Sequence, residues 1–390
     1  MLWSSHLEGG PKRVNHAAVA VGNKIYSFGG YSSSEDYEMT RPMDVHILYL
    51  ESLRWRALSV PNMTHEQYFC TPYQRYGHTA CAYGSLVYIW GGRNDSDGAC
   101  NKLYQFDTES LLWAEVATNG TIPPSRDGHS ACVIGNFMYI FGGFEEDFER
   151  FSNEVYALDL TSMLWQHLPT LGAPPQFRDF HTGTPIGNRM YIFGGRSDVL
   201  GQFHSNREVY CDTLSYLNVD TQEWIHVTPA STSQCNPCGR RSHSAFTRDG
   251  KLYIFGGYNG ISKEHYNTLY CFDPAISVWT QLYIHGDGPK PRRRHCSIFA
   301  NEKLYLFGGT SPRENASISL ELEPELVDQA DLYVLDFAPS LKVLCIVACF
   351  TLHLETHFEQ LPWDLRWEIM ALTQPNKISS IATERLEIRG

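Results

Sequence analysis

The sequence predicts an all-β fold: a six-bladed β-propeller closed by an N-terminal strand and followed by a short α-helical tail. Three observations carry this expectation. A glycine pair recurs at Gly29-Gly30, Gly91-Gly92, Gly142-Gly143, Gly194-Gly195, Gly256-Gly257 and Gly308-Gly309. A fixed set of residues precedes every pair: an arginine (Arg13, Arg75, Arg126, Arg178, Arg240, Arg292), a histidine three positions later (His16, His78, His129, His181, His243, His295) and a tyrosine three positions before the first glycine (Tyr26, Tyr88, Tyr139, Tyr191, Tyr253, Tyr305). A tryptophan follows at a similar distance in five copies, at Trp55, Trp113, Trp165, Trp224 and Trp279. Six copies without internal slippage mark a repeat architecture.

The elements follow in chain order. Each copy holds four short runs, seen in the third copy as His129 to Ile134, Phe137 to Phe141, Glu154 to Asp159 and Trp165 to Leu168. Aromatic and β-branched residues alternate with small ones there, the period of strands and not of helices. The double glycine allows positive φ and close packing where the second strand ends. Four strands per copy, repeated six times with closure, make a propeller. The sixth copy reaches its third strand at Asp331 to Asp336 and then offers no tryptophan. The missing one stands at the other end, in Trp3-Ser4-Ser5-His6-Leu7, so residues 3–7 are expected to complete the last blade and leave no open edge. The propeller then spans residues 1–338. Residues 339–372 form a helical segment, and residues 373–390, with Pro375, Asn376 and two serines, read as a flexible tail ending in Arg389-Gly390.

Composition narrows the function. The chain has 390 residues, 43% apolar and 19% charged, ample for a core. A net charge of −12 makes a duplex nucleic acid a poor ligand. The first residues carry neither the basic nor the apolar region of a secretory signal, and the longest apolar run, Val343 to Phe350, is too short for a membrane helix. Eleven cysteines without a disulfide framework suit a reducing compartment, the cytoplasm or also the nucleus.

No nucleophile elbow, phosphate loop or metalloprotease helix is present. The six histidines repeat once per copy, which fits one equivalent local hydrogen bond per blade better than one asymmetric metal cluster. Cys235 and Cys238 form a lone CxxC, read as a turn for want of a second pair. Neither a metal nor a cofactor is expected, and a binding role is favoured over an enzyme.

The Gly-Gly pair, its preceding tyrosine and the spaced tryptophan resemble the kelch repeat, over residues 1–338. In that family the loops after Gly-Gly and those entering the first strand line one mouth of the channel. The resemblance therefore places Arg93, Phe144, Arg196 and Tyr258 after the pairs, and Asp127, Asp179, Arg241 and Ser242 at the entries. The six repeated arginines read as bridges between blades. Behind the propeller, Ser340, Leu341 and Cys345 match an Elongin-binding box, with Cys349 where an aliphatic residue is usual, and Leu341, Leu344, Cys345 and Ala348 form one helical stripe. Leu361-Pro362 then resembles the centre of a cullin-2 box. Together these features are similar to the kelch-type substrate receptors of cullin-2–RING ubiquitin ligases.

That resemblance implies Elongin B/C and cullin-2 as partners and C-terminal degrons ending in glycine as ligands. It places the degron carboxylate on Arg196 and Arg241. Gly201 stands where a second arginine of that loop is found in the family, and Val199 offers nothing polar. Asp127 and Asp179 are then candidates to pair a basic residue just before the terminal glycine. The chain's own Arg389-Gly390 end would fit such a mouth and support self-association. A kelch scaffold for cytoskeletal or meiotic chromatin-associated complexes is the second reading.

Overall fold

A computed structural model describes residues 1–34, 40–61, 63–230, 235–313, 325–352 and 359–381. It forms six antiparallel blades of four strands in chain order. The innermost strands, Ala17–Val21, Tyr76–Tyr83, Ser130–Ile134, Thr182–Ile186, Ser244–Arg248 and Cys296–Ala300, touch in cyclic order, the last against the first. They enclose a central channel. Among the described residues no helix is long and apolar enough to cross a membrane.

The ring closes as the sequence predicts. Leu2–Leu7 pairs antiparallel with Leu332–Asp336, setting Trp3 opposite Leu335 and Leu7 opposite Leu332. Trp3 thus occupies the place that Trp55, Trp113, Trp165, Trp224 and Trp279 hold in the other blades, and all six are buried. Each indole packs on the aromatic residue just before the Gly-Gly pair of the preceding blade. The pairs are Trp113–Phe28, Trp165–Trp90, Trp224–Phe141, Trp279–Phe193, Trp3–Phe255 and Trp55–Phe307, with ring centres 5.0 to 6.1 Å apart. One large wedge per blade interface explains why tryptophan repeats.

The glycines allow the same approach on the backbone side. A Cβ on Gly91, whose φ is +69°, would lie 2.4 Å from His129 Cε1 and 2.9 Å from the Arg126 carbonyl of the next blade. No side chain fits there.

Each outermost strand would present an open edge, and the linker entering that blade covers it. Helix α1 (Glu66–Cys70) caps blade two, where Trp113 N donates to Gln67 Oε1 at 2.8 Å. Asn119–Gly120 runs parallel to Leu164–His167 in blade three. Leu171 bridges Glu223, Ala230 N donates to the Ser277 carbonyl, and His285 bridges Leu2 in blades four, five and six. The outermost strand of blade one is Arg54–Leu58. Its edge is taken by the C-terminal segment. Ser379–Ile381 pairs parallel with Arg54–Leu58, Ser59 N donates to the Ile381 carbonyl, and buried Asn376 accepts from Trp55 N at 3.1 Å.

This corrects the reading of the tail as flexible from residue 373. Up to Ile381 it is a docked edge strand, since the blade-one edge needs a partner. Arg389-Gly390 lies outside the described residues.

Two further readings are refined. The side chains of Arg75, Arg126, Arg178, Arg240 and Arg292 do not bridge blades; each donates through Nη1 to the carbonyl of the first glycine of its own blade, at 2.8 to 3.3 Å. The link between blades is made by their carbonyls, which accept from the second glycine of the preceding blade in Gly30–Arg75, Gly143–Arg178, Gly195–Arg240 and Gly257–Arg292. The histidines, conversely, are not local. His129, His181, His243 and His295 place Nε2 2.8 to 2.9 Å from Thr79, Ser130, Thr182 and Ser244 of the preceding blade. Burial pushes His78 and His243 down to about 3, so they stay neutral.

Candidate binding site at the channel mouth

Six residues form the floor of one mouth. Asn15, Gly77, Gly128, Phe180, Ser242 and Arg294 directly precede the histidines, and all take positive φ, between 49° and 67°. Each N–H donates to the carbonyl of its counterpart in the preceding blade, at 2.7 to 3.1 Å, so the six close a head-to-tail ring. Every N–H of that ring is spent. Donors to an anionic ligand must therefore be side chains.

Above the ring each blade adds one backbone rung. The residue two before the histidine pairs with the residue after Gly-Gly: Val14 with Tyr31, Tyr76 with Arg93, Asp127 with Phe144, Asp179 with Arg196, Arg241 with Tyr258 and Arg293 with Thr310. These rungs border a cavity of about 680 Å³, narrowing into a channel of about 120 Å³ beneath.

The cavity brings together Arg93, Asp127, Phe144, Asp179, Arg196 and Arg241. Ser242 lines the narrower channel below. Tyr258 is fully buried and does not reach the cavity, which corrects its placement at the mouth. Its ring lies beneath the guanidinium groups of Arg293 and Arg241, at 4.2 and 5.8 Å, and supports them. Arg294, a left-handed floor residue, also lines the cavity, while its neighbour Arg293 on the rung does not. Tyr31, Tyr76, Asp95, Phe180 and His204 complete the aromatic and polar wall.

The four cations differ in how engaged they are. Arg196 is the most engaged: its Nε donates to Asp179 Oδ1 at 3.1 Å, its Nη2 to Asp179 Oδ2, and its Nη1 to Glu208 Oε1 at 3.3 Å. Burial works against its charge, but Asp179 and Glu208 more than offset this and hold it protonated. Arg93 pairs with Glu146 at 3.2 Å. Arg294 donates to the Tyr31 hydroxyl at 2.6 Å. Arg241 is half-buried, and among the described residues its Nε has no hydrogen-bond partner. The Nη groups of Arg241, which lines the cavity, make no hydrogen bond or ion pair among the described residues, so a ligand carboxylate would accept from them.

The carboxylates face the opposite problem. Burial, and then neighbouring Asp179, push Asp127 up to about 7 against the pull of Arg93 and Arg196. Burial also raises Asp179 despite its pairing with Arg196. The mouth thus combines cations that keep donors in reserve with a carboxyl that a ligand cation would keep ionised.

A family model described as the KLHDC2/KLHL20/DRC7 Kelch-repeats domain matches residues 77–309, and a Kelch motif matches residues 12–59. The chain belongs to the kelch-repeat family. It is 48% identical to Kelch domain-containing protein 3 of Homo sapiens over 380 residues, covering 97% of this chain and 98% of that protein. The Mus musculus protein of the same name is also 48% identical, over 382 residues. Kelch domain-containing protein 2 of Bos taurus is 27% identical over 330 residues, 76% of each chain. Kelch-repeat membership accounts for the six-fold floor and rungs, which belong to the ring; the side chains on them differ between blades, with Asp127 and Asp179 on two successive rungs and Arg241 and Arg293 on the next two.

Proposed function

We propose that this kelch protein is a non-catalytic substrate receptor of a cullin-2–RING ubiquitin ligase that binds chain ends terminating in glycine and acts in the cytoplasm and nucleus. The observation that carries the reading is the exposure of the tail's apolar stripe. Helix α2 (Leu341–Thr351) is capped by Ser340, whose Oγ accepts from Val343 N at 3.3 Å. Leu341, Leu344, Cys345 and Ala348 all face solvent, Leu341 at 76%, while the helix buries Ile346 instead. A helix that merely packed beneath the propeller would bury that stripe. Helix α3 (Trp363–Thr373) begins at exposed Pro362, beside half-buried Leu361, and leaves Trp363 and Trp367 exposed. Two adjacent helices with solvent-facing apolar residues support docking to an Elongin B/C and cullin-2 pair.

Arg241 defines the ligand class. Its Nη groups, with Arg294 at the same mouth, suit a terminal carboxylate, and Asp127 across the same cavity suits a basic side chain. Arg196, already paired with Asp179 and Glu208, keeps two N–H donors for the same carboxylate and is the weaker partner in the grip. The sharp narrowing below the mouth favours a residue without a side chain at the end. Docking of both surfaces raises the substrate's effective concentration at the ubiquitin-loaded partner. The test is capture of Elongin B/C by the full chain, expected to be lost with Leu341→Ser. Undiminished capture by that variant would refute the adaptor assignment.

A further inference from the structure

Beside the mouth, on the loops after Gly-Gly of blades three, four and five, five large apolar side chains stand more than half exposed: Phe148, Val199, Leu200, Phe203 and Ile261. Among the described residues the corresponding loops of blades one, two and six expose no large apolar side chain. The crescent is built rather than loose. Phe151 N donates to the Gln202 carbonyl at 2.8 Å, tying the third loop to the fourth, and a Cβ on Gly260 would meet Tyr210 of the fourth loop at 2.5 Å, so the fifth abuts it. Buried Asp198 accepts from Leu200 N at 2.9 Å and from Ser205 N at 2.7 Å, holding the turn that presents Val199 and Leu200 outward. These bonds hold Asp198 down to about 2, so the turn stays fixed at neutral pH.

The crescent is continuous with the mouth. Phe144 on the cavity wall packs on Phe151 at 5.4 Å, Phe151 on His204 at 5.9 Å, and Phe203 is the next residue outward. We infer that this crescent is a second reading surface for the same ligand, gripping a large apolar side chain that lies upstream of the substrate's carboxyl end. The inference rests on the carboxyl-end reading above. A chain whose end sits at Arg241 must leave the cavity across one rim, and among the described residues this is the rim that exposes large apolar side chains. The substrate class narrows to chain ends that combine a terminal glycine with an apolar residue several positions before it.

The test uses the full-length protein and glycine-ended peptides sharing their last four residues: the four-residue peptide alone, a twelve-residue peptide with Leu and Phe upstream, and the same peptide with Ser at both places. The apolar peptide should bind about tenfold tighter than the serine peptide, the gain expected from burying one apolar side chain. Leu200→Ser combined with Phe203→Ser should erase that gain and leave the four-residue peptide's affinity unchanged, which also shows the variant folded. Equal affinities of the two long peptides for the unaltered protein would overturn the inference. So would finding the unaltered protein dimeric and the double variant monomeric, which would assign the crescent to a second copy. Amidated versions separate the two readings. If amidation leaves every affinity unchanged, the carboxyl-end reading fails, and with it the inference; if amidation abolishes binding but the long peptides do not differ, only the crescent fails.

Discussion

Replacing Asn376 with alanine tests whether the C-terminal segment is part of the propeller. Asn376 is buried, its Oδ1 accepts from Trp55 N, and its own N–H donates to the Glu8 carbonyl at 2.6 Å. The substitution leaves the buried Trp55 N–H without an acceptor, at a cost of about 1–3 kcal/mol. That cost falls on the local docking equilibrium, because every other blade keeps its own linker. Each 1.36 kcal/mol is a factor of ten, so opening of this edge should rise roughly five- to 150-fold. Native-state hydrogen exchange reads it directly. The Ser59 amide, which donates to the Ile381 carbonyl, should exchange faster by that factor, while the Thr121 amide, which donates to the Trp165 carbonyl in blade three, should not change. Unchanged exchange at Ser59 would refute the account of the tail as an edge strand. Equal acceleration at both amides would mean that the ring as a whole had loosened.

Other outcomes follow from the same geometry. Deleting residues 1–10 removes the outer strand of blade six together with Trp3, and Trp3 alone is worth about 3–5 kcal/mol, so thermal scanning should show a large loss of stability; an equally stable truncation would rule out the seam. Asp127 binds its proton more tightly folded than unfolded, so it lowers stability progressively as pH rises from about 4 to about 7. Asp127→Asn should accordingly stabilise the protein by about 1–3 kcal/mol at pH 8 and have little effect at pH 4, measured by denaturant titration at both pH values. Adding one alanine after Gly390 should strengthen binding of a glycine-ended peptide if the chain's own end competes for the mouth; equal affinity would leave Arg389-Gly390 without that role.

The propeller was legible because each blade solves the same packing problem with the same residues. An indole on the preceding blade's pre-glycine aromatic, and a glycine pressed against the next blade's histidine, recur identically and so appear as a period in the sequence. The displaced Trp3 betrayed the seam for the same reason. The mouth was legible only as a set of positions. Pairing of Arg196 with Asp179 depends on their sharing one backbone rung, and its third bond on Glu208, brought back by a hairpin. Neither is a spacing that sequence alone reveals. Burial of Tyr258 and exposure of Arg294 turn on the direction a side chain takes from its rung or from a left-handed residue. The tail was misread because Pro375, Asn376 and two serines are loop-formers by composition, and their partner, the blade-one edge, exists only once the ring has closed.

The central claim is that the mouth, through Arg241, holds a free chain end. The most direct measurement is the affinity of the full-length protein for one glycine-ended peptide as its free acid and as its C-terminal amide, repeated with Arg241→Ala. Losing one partner of a buried charge pair typically costs about 2–5 kcal/mol, at least thirtyfold in affinity. The account predicts that amidation and Arg241→Ala each cause a loss of that size, and that the two together cost little more than either alone. Equal binding of acid and amide to the unaltered protein would contradict it.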